Sequence, residues 1–346
     1  MIKRTLQALI EGRDLSEEQA SCAMQQIMEG GATSAQVSSF LTALRIKGET
    51  CEEIQAMASV MRQKARRVHT SLDAVDTCGT GGDGVGTFNV STAAAFVIAG
   101  AGQPVAKHGN RAMSSACGSA DVLEALGVNI VLSPGSVAQC LAETRIAFMF
   151  AQTFHPAMKH VAPVRREIGV RTIFNVLGPL TNPAGAPYQV IGVSNPFVMS
   201  RMAHALGQLG SRRALVVHGA GGVDELSLSG TNAVCEWTGT EVRNYSLRAR
   251  ELGLKQAPIS AISGGSPEHN AKIVMAVLEA EPGAPRDTVL LNAAAGLYVS
   301  GRATSMTHGV RLAADSIDSG AALGTLRALV AESNRLGAIE KEGSVA

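Results

Sequence analysis

The sequence has few of the features that mark secreted, metal-cluster or membrane proteins. Its six cysteines form no Cys-x-x-Cys pair, so we expect free thiols in a reducing compartment rather than a zinc site or a disulfide framework. The longest apolar run, Ala93–Gly102, is too short to span a bilayer. The amino terminus reaches Glu11 after one short apolar stripe, which does not fit a secretory signal. These absences predict a cytoplasmic protein.

An excess of charge of one sign is also absent. The 30 basic and 29 acidic side chains leave a formal net charge of +1, so neither nucleic acid nor a membrane is expected as a partner. Apolar residues make up 46% and charged residues 17%, which is typical of a folded globular protein. A chain of 346 residues can bury a substantial core, and we expect two structural units.

Residues 1–70 carry the start and stop signals of helices. Three residue pairs have the capping-box spacing, in which side chains satisfy the first free N–H groups of a helix. These pairs are Ser16 with Gln19, Thr33 with Gln36, and Thr50 with Glu53. Apolar residues recur at helical period, and glycines stand where the helices would end. We predict a small unit of four helices.

A basic cluster ends this helical unit. It consists of Arg62, Lys64, Arg66, Arg67 and His69. A nucleic-acid patch is one interpretation, but cations at a helix C-terminus are favoured by the helix dipole, and no aromatic residue is interleaved with them. We favour the second interpretation.

From Ala74 onward, short apolar runs alternate with helical patterns. This alternation predicts a mostly parallel sheet with crossover helices. The candidate strands are Ala74–Cys78, Pro104–Ala106, Ile146–Phe150, Gln189–Val193 and Ala214–His218, and the candidate helices lie near 91–101, 119–126, 136–144 and 197–209. Two further strands, Ala233–Trp237 and Glu241–Tyr245, are expected to add a hairpin. We expect a helical tail over 267–335 and a long irregular connection over 171–187.

The segment after the first predicted strand is rich in glycine. Gly79, Gly81 and Gly84 match the spacing of a dinucleotide-binding loop, and Gly79 with Gly84 matches the first half of a Walker A loop. However, no lysine follows Gly84, and no carboxylate stands about twenty residues further on for a ribose. Both nucleotide-loop motifs are therefore incomplete.

The stretch from Gly84 to Ala120 contains no Asp or Glu. It does contain Lys107, His108 and Arg111, together with many hydroxyl and amide side chains. Glycines let backbone N–H groups approach an anion, and a helix that opens at 89–92 would favour an anion at its N-terminus. A turn-rich linker would not need so many donors without one acid, so we predict a phosphate site.

Two adjacent carboxylates, Asp224 and Glu225, follow the strand that ends at His218 and a glycine turn. Adjacent carboxylates suit Mg²⁺, which keeps several waters and bridges to substrate phosphates. A solvated surface pair is the alternative, but a nearby phosphate site favours the metal. We interpret His218 as a packing residue, because magnesium prefers oxygen ligands.

A third region, residues 155–166, is rich in cations and is predicted to be helical. It could hold a carboxylate on a second substrate. Its histidines, His155 and His160, do not have the i, i+4 spacing of a helical metal site.

Together, these motifs resemble those of the anthranilate phosphoribosyltransferases, a family of tryptophan biosynthesis. The matching segments are DTCGTGGDG at 76–84, NVST at 89–92, KHGNRAMSS at 107–115, GSAD at 118–121, HPAMKHVAPVRREIG at 155–169, FNVLGPLTNPA at 174–184 and VDELSL at 223–228. The resemblance covers nearly the whole chain, and the sequence departs from the family at none of these motifs.

The resemblance implies an α/β fold class, with a small amino-terminal helical domain and a larger α/β domain whose mostly parallel sheet is flanked by helices. The helical domain would be residues 1–70, completed by a segment near 165–187. The α/β domain would be residues 71–164 and 188–346. A homodimer through the helical domains is also implied.

The resemblance also implies the roles of individual residues. Lys107 and Asp83 would be catalytic. Contacts to phosphoribosyl diphosphate are implied for Gly79, Gly82, Asp83, Thr87, Asn89, Val90, Ser91, Thr92, Lys107, His108, Gly109, Asn110, Arg111, Ala112, Met113, Ser114, Ser115 and Ser119. Anthranilate would be faced by Gly79, His108, Asn110 and Arg165. Mg²⁺ would be held by Ser91, Asp224 and Glu225, as two ions of which at least one bridges the diphosphate.

The implied reaction joins the amine of anthranilate to C1 of the ribose and expels diphosphate. The aromatic amine is neutral at pH 7 but a poor nucleophile, so the enzyme needs no general base and must make the carbon strongly electrophilic. Lys107 and Mg²⁺ would stabilise the departing diphosphate.

Two alternatives remain on the same scaffold. A pyrimidine-type nucleoside phosphorylase would have a Lys and a His before the glycine loop, where Thr77 and Cys78 stand in this chain. A non-catalytic nucleic-acid-binding relative would lack the acidic pair and carry a basic face.

Overall fold

A computed structural model describes residues 2–112 and 116–343. The α-helices are α1 Ile2–Ile10, α2 Glu17–Met28, α3 Ser34–Lys47, α4 Cys51–Lys64, α5 Val90–Gly100, α6 Ser119–Ala125, α7 Pro134–Thr144, α8 Ala151–Phe154, α9 Ala162–Ile168, α10 Ile173–Leu177, α11 Met199–Gln208, α12 Pro267–Leu278, α13 Ala284–Val299, α14 Met306–Asp318 and α15 Ala321–Gly343. The strands are β1 Val75–Gly79, β2 Val105–Gly109, β3 Ile146–Phe150, β4 Tyr188–Gly192, β5 Arg213–His218, β6 Thr231–Trp237 and β7 Val242–Arg248. No helix in the described part of the chain is long and apolar enough to cross a membrane.

The amino-terminal helices begin where the capping signals predict. The side chains of Ser16, Thr33 and Thr50 accept hydrogen bonds from the backbone N–H three residues later, and the reciprocal bonds are also present. All three predicted capping boxes are therefore confirmed. They succeed because a capping box depends only on residues within one turn of helix.

All seven strands form one sheet in the order β3-β2-β1-β4-β5-β6-β7. Strands β1 to β5 pair in parallel, whereas β6 and β7 form an antiparallel hairpin at the edge. The predicted mostly parallel sheet with an added hairpin is confirmed. The strand order reverses between β1 and β4, and such a switch point opens a crevice at the carboxyl ends of the two strands.

Apolar side chains form two clusters. One packs α5, α13 and the tail helices against one face of the sheet, where Ala94, Ile98 and Leu291 are buried. The other joins α1–α4 to α10, α11 and the opposite face of the sheet. The four amino-terminal helices are therefore anchored on the sheet through α10 and α11.

Two predictions about local structure need correction. Residues 155–166 are not one helix: a 3₁₀ helix over Pro156–His160 is followed by α9. A proline stands in the first turn of each, and proline favours the start of a helix over its interior. The connection over 171–187 is also less irregular than predicted, since it contains α10 and a 3₁₀ turn at Gly178–Leu180.

Candidate active site

The ends of four parallel strands supply the crevice with its polar residues. The glycine loop, residues 80–88, follows β1, and Lys107 and His108 lie on β2. Ser194 follows β4, and a turn over 219–225 follows β5. Segments that are far apart in sequence meet here because parallel strands end at the same edge of the sheet.

Two glycines allow the acidic turn to reach the sheet. Gly79 and Gly192 are paired at the ends of β1 and β4. A Cβ on Gly79 would lie 2.2 Å from Asp224 Oδ2, and one on Gly192 would lie 1.6 Å from the Asp224 carbonyl oxygen. Any side chain at either position would displace Asp224.

The glycine loop adopts a conformation that other residues avoid. Gly81, Gly82, Gly84 and Gly86 all have φ between +68° and +74°. The Gly81 N–H donates a hydrogen bond of 2.6 Å to Asp224 Oδ2, which ties the loop to the acidic turn. The glycine motif therefore encodes a backbone shape that L side chains adopt only with strain.

Asp83, within this loop, lies near Asp224, which in turn lies next to Glu225. Burial, together with repulsion from Asp83, raises the pKa of Asp224 to about 6. Burial and the neighbouring Asp224 raise the pKa of Glu225 to about 8. Asp83 Oδ2 is buried and has no hydrogen-bond partner among the described residues. In the absence of a cation, the protein therefore disfavours the charged forms of Asp224 and Glu225.

This donor set fits a hard divalent cation. All of its ligand atoms are oxygens, and a cation would offset both the burial and the repulsion that raise the two pKa values. Within residues 2–112 and 116–343, however, no three His, Cys, Asp or Glu side chains form a group that could hold a metal by themselves. The residues therefore fit Mg²⁺ in the mode that binds one or two carboxylates and takes its other ligands from water and phosphate.

Lys107 lies below the start of α5 and is buried. Its ammonium group donates to the Thr77 carbonyl and lies 3.4 Å from Ser91 Oγ. The Ser91 N–H in turn donates to Glu225 Oε1 over 3.1 Å. Lys107, Ser91 and Glu225 thus form one chain of polar contacts. The positive end of the α5 dipole, where the sequence predicts a bound anion, already faces this carboxylate.

The sequence interpretation missed Asp76, which is completely buried on β1. It accepts hydrogen bonds from the His108 N–H over 3.2 Å and from Asn182 Nδ2 over 2.8 Å. Burial raises its pKa to about 6, although Lys107 acts in the opposite direction. Only its place beside the glycine motif could have drawn attention to it, because Asn182 lies 106 residues away.

The other residues assigned to phosphoribosyl diphosphate differ in how they face the crevice. Asn89 is held by Asn270 Nδ2 and by the Cys117 carbonyl. Val90 and Thr92 are buried, so Val90 can offer only its backbone to a ligand.

The end of the acid-free stretch continues this set. Gly109 lies against Ser119, since a Cβ on Gly109 would be 2.1 Å from Ser119 Oγ. Thr87 forms an isolated bridge with Ser263, and Gly82 belongs to the left-handed turn described above. The assigned residues Met113, Ser114 and Ser115 lie outside the described residues.

Arg111 is already paired in this structure. Its guanidinium donates to Asp121 and Glu124 and lies over the ring of Phe150. The carboxylate of Asp121 also accepts from the Ala112 N–H over 2.9 Å. Asp121, one of the acids that pair with Arg111, stands directly after the acid-free stretch. Arg111 is therefore less available to an anion than the lack of acids within that stretch predicts.

On the acceptor side, Arg165 on α9 is half-buried and packs 5.5 Å from the ring centroid of Phe174. Burial lowers the pKa of Arg165, and no carboxylate among the described residues offsets this shift. A half-buried guanidinium without a carboxylate partner is suited to an anionic ligand.

Two buried histidines, His108 and His155, lie near each other. Their ring centroids are 5.0 Å apart. Burial lowers the pKa of both, that of His155 to about 4, so both rings are neutral near pH 7. His108 Nε2 and both ring nitrogens of His155 lack hydrogen-bond partners in the described chain. Asn110, assigned with them to the acceptor, is exposed and uses Oδ1 to accept from the Arg111 N–H.

Two family models match this chain. Residues 3–65 match the helical bundle domain of a glycosyl transferase family, and residues 71–323 match the a/b domain of the glycosyl transferase family.

Individual relatives share one name. The chain is 55% identical over 331 residues to an anthranilate phosphoribosyltransferase of Pelotomaculum thermopropionicum, covering 95% of this chain and 96% of the relative. The crystal structure of the Thermus thermophilus anthranilate phosphoribosyltransferase is similar, with a TM-score of 0.91 and 47% identity over 95% of this chain and 99% of that one.

Two structures of the Saccharomyces cerevisiae anthranilate phosphoribosyltransferase are also similar, each 29% identical over 97% of this chain and 98% of the yeast chain. One is a complex with PRPP and Mg, with a TM-score of 0.88. The other is a complex with 4-fluoroanthranilate, with a TM-score of 0.87.

Proposed function

This chain belongs to the anthranilate phosphoribosyltransferase family, and we propose that its crevice transfers the phosphoribosyl group of 5-phosphoribosyl 1-diphosphate (PRPP) to the amine of anthranilate. The products are N-(5-phosphoribosyl)anthranilate and diphosphate, in tryptophan biosynthesis. The observation that carries this proposal is the acid cluster of Asp83, Asp224 and Glu225 at a left-handed glycine loop, since that arrangement pairs a cation site with backbone donors for phosphate.

Asp224, Glu225 and the Ser91 hydroxyl would hold Mg²⁺, as two ions of which at least one bridges the diphosphate. When bound, the metal supplies charge stabilisation for the leaving diphosphate. Asp83 belongs to the same cluster, and its unpaired Oδ2 is free to accept from a water or a hydroxyl.

Lys107 stabilises the departing group from the protein side. Its buried ammonium keeps Ser91 Oγ and Glu225 oriented, and it adds positive charge next to the place where negative charge develops. Glycine-loop N–H groups, together with Asn89 and Ser119, bind the phosphate oxygens. Rate enhancement then comes mainly from positioning and charge stabilisation, because the neutral aromatic amine needs no deprotonation before attack.

Anthranilate is held through its carboxylate by Arg165. A guanidinium binds a carboxylate with two parallel N–H bonds, and that of Arg165 has no carboxylate partner of its own in the described chain. The neutral His108 and the Gly79 backbone would face the amine as it approaches C1. This orientation directs the nitrogen, rather than the carboxylate, towards the ribose.

We also propose a domain division into residues 1–70 with 165–187, and 71–164 with 188–346. A homodimer through the helical domain is supported by Ile10 and Ile46 on α1 and α3, whose side chains are 65% and 82% exposed. The expected compartment is the cytoplasm.

The proposal is tested by incubating the protein with anthranilate, PRPP and Mg²⁺ and identifying the products by mass spectrometry. We expect a phosphoribosyl adduct on anthranilate and equimolar diphosphate. A parallel reaction with a pyrimidine nucleoside and phosphate tests the phosphorylase alternative, for which Thr77 and Cys78 stand in place of the expected Lys and His. Nucleoside cleavage without the anthranilate adduct would overturn the proposal.

A further inference from the structure

Arg171 contacts three consecutive residues of the glycine loop, Thr80, Gly81 and Gly82. Its Nη1 lies 2.9 Å from the Gly81 carbonyl oxygen and 2.9 Å from that of Gly82. The same nitrogen donates to Ser194 Oγ over 2.5 Å, and Nη2 lies 3.4 Å from Thr80 Oγ1. One guanidinium thus joins three residues of the loop to the end of β4.

These contacts fix the direction of the loop's N–H groups. A trans peptide is planar, so the carbonyl of one residue and the N–H of the next point in opposite directions. When Arg171 binds the carbonyl oxygens of Gly81 and Gly82, the N–H groups of Gly82 and Asp83 must point away from Arg171. Within residues 2–112 and 116–343, neither of these N–H groups has a hydrogen-bond acceptor. They are therefore available to an anion.

The middle of the loop needs such a support because the other hydrogen bonds hold mainly its ends. Glycines lose more conformational freedom on ordering than other residues, and four of them lie within residues 81–86. The ends of the segment are held by the Thr80 N–H, which donates to the Gly192 carbonyl, and by the Gly86 carbonyl, which accepts from the Gly264 N–H. Between them, Gly81 donates to Asp224, and the Val85 N–H donates internally to Asp83 Oδ1. None of these bonds uses the carbonyl groups of Gly81 and Gly82 or the N–H groups of Gly82 and Asp83, so none determines which way those two peptides face.

Arg171 reaches the loop from the other structural unit. It stands between α9, which carries Arg165, and α10, whose Ile173 and Phe174 are buried in the cluster of the amino-terminal helices. A displacement of the α9–α10 segment would therefore shift the glycine loop directly, through the contacts of Arg171. Burial lowers the pKa of Arg171, whereas the nearby acids of the crevice act in the opposite direction and favour its charged form.

We propose that Arg171 is a positioning residue that holds the glycine loop with its N–H groups turned towards the diphosphate of PRPP. It does not touch the reacting atoms, and its action is exerted through the peptides of Gly81 and Gly82. The inference rests on the proposed function for the identity of the anion, but the orientation of the loop is a property of the protein alone.

Steady-state kinetics of Arg171→Ala and Arg171→Lys, with each substrate varied in turn, test this role. We expect KM for PRPP to rise at least about tenfold in Arg171→Ala, equivalent to about 1.4 kcal/mol, while KM for anthranilate changes much less. Arg171→Lys keeps the positive charge but loses the planar guanidinium with its several N–H donors. Its KM for PRPP should therefore lie between those of the wild type and Arg171→Ala. Added guanidinium ion should restore part of the loss in Arg171→Ala. The matched control is Arg166→Ala, an exposed arginine on α9 that should leave both KM values unchanged.

Hydrogen exchange of the amides of residues 80–88 gives a second readout that needs no substrate. It should be faster in Arg171→Ala than in the wild type and unaffected in Arg166→Ala. If Arg171→Ala does not fold, Ser194→Ala serves as the test variant in its place. It removes one hydrogen-bond partner of the Arg171 guanidinium and should show a smaller rise in KM for PRPP.

Two outcomes would overturn the role of Arg171. One is an unchanged KM for PRPP with unchanged exchange in the loop. The other is an equal rise of both KM values together with a lower melting temperature. That result would mean that Arg171 only stabilises the contact between the two units. Failure of the proposed function has a different signature, since the wild type would then form no phosphoribosylanthranilate while exchange in the loop still responded to Arg171.

Discussion

Replacing Arg165 separates the recognition of the acceptor from that of the diphosphate. The guanidinium of Arg165 is half-buried, packs on Phe174 and has no carboxylate partner in the described chain. If it binds the carboxylate of anthranilate, Arg165→Ala removes charged hydrogen bonds worth roughly 1.5–3 kcal/mol. KM for anthranilate should then rise on the order of ten- to a hundredfold. KM for PRPP should change much less, because the diphosphate is bound at the glycine loop.

The same structure predicts the sign of the stability change. Burial lowers the pKa of Arg165, which means that the folded protein disfavours the charged guanidinium. Arg165→Met keeps the packing on Phe174 and removes this unfavourable charge, so its melting temperature should equal or exceed that of the wild type. If Arg165 instead served only in a surface ion pair worth roughly 0–1 kcal/mol, its replacement would lower the melting temperature and leave the two KM values nearly unchanged.

The assay varies each substrate in turn for the wild type, Arg165→Ala, Arg165→Met and the control Arg166→Met, with a melting curve for each protein. Arg166 lies next to Arg165 on α9 but is exposed, so its loss controls for the removal of one positive charge from this helix. Equal effects of Arg165→Ala on both KM values would refute the assignment, because the acceptor pocket would then lie elsewhere.

Three further predictions concern the buried charges of the crevice. Replacing Asp224 and Glu225 by Asn and Gln should abolish Mg²⁺-dependent turnover with the fold retained by circular dichroism; full activity of this double variant would exclude them as metal ligands. Lys107→Met should lower kcat about 10²-fold or raise KM for PRPP, because it removes positive charge where the leaving group becomes negative, and wild-type kinetics would contradict this. Asp76 has a pKa raised to about 6, so the folded protein binds its proton more tightly than the unfolded chain does, and its contribution to stability falls as pH rises from about 4 to 6. Melting curves in a chelator should therefore show a weaker loss of stability over that range in Asp76→Asn than in the wild type, and equal pH slopes would refute it.

The sequence predicted those features that depend on neighbouring residues. Capping boxes at Ser16, Thr33 and Thr50 were located to the residue because their hydrogen bonds span three positions. Six of the seven strands were displaced by one to three residues at one or both ends, since apolar runs do not show where pairing stops. The break between the 3₁₀ helix and α9 is indicated by Pro156 and Pro163, which favour helix starts, and not by the cations of this region.

The candidate site was predicted in its composition but not in its connections. Glycine-loop spacing, the acid-free stretch and the pair of acids at 224 and 225 are local patterns with a chemical reason. By contrast, the contacts of Arg171 with Gly81 and of Asp76 with Asn182 span 90 and 106 residues. Nothing in the local sequence of either partner indicates the other, because the sheet topology creates both contacts.

The most direct measurement of the central claim is the fluorescence of anthranilate in the presence of the purified protein. When PRPP and Mg²⁺ are both added, we predict a steady loss of anthranilate fluorescence that stops when a chelator removes the metal. The loss should be absent if either PRPP or Mg²⁺ is omitted. Unchanged fluorescence in the complete mixture, with a protein that is folded by circular dichroism, would contradict the assignment.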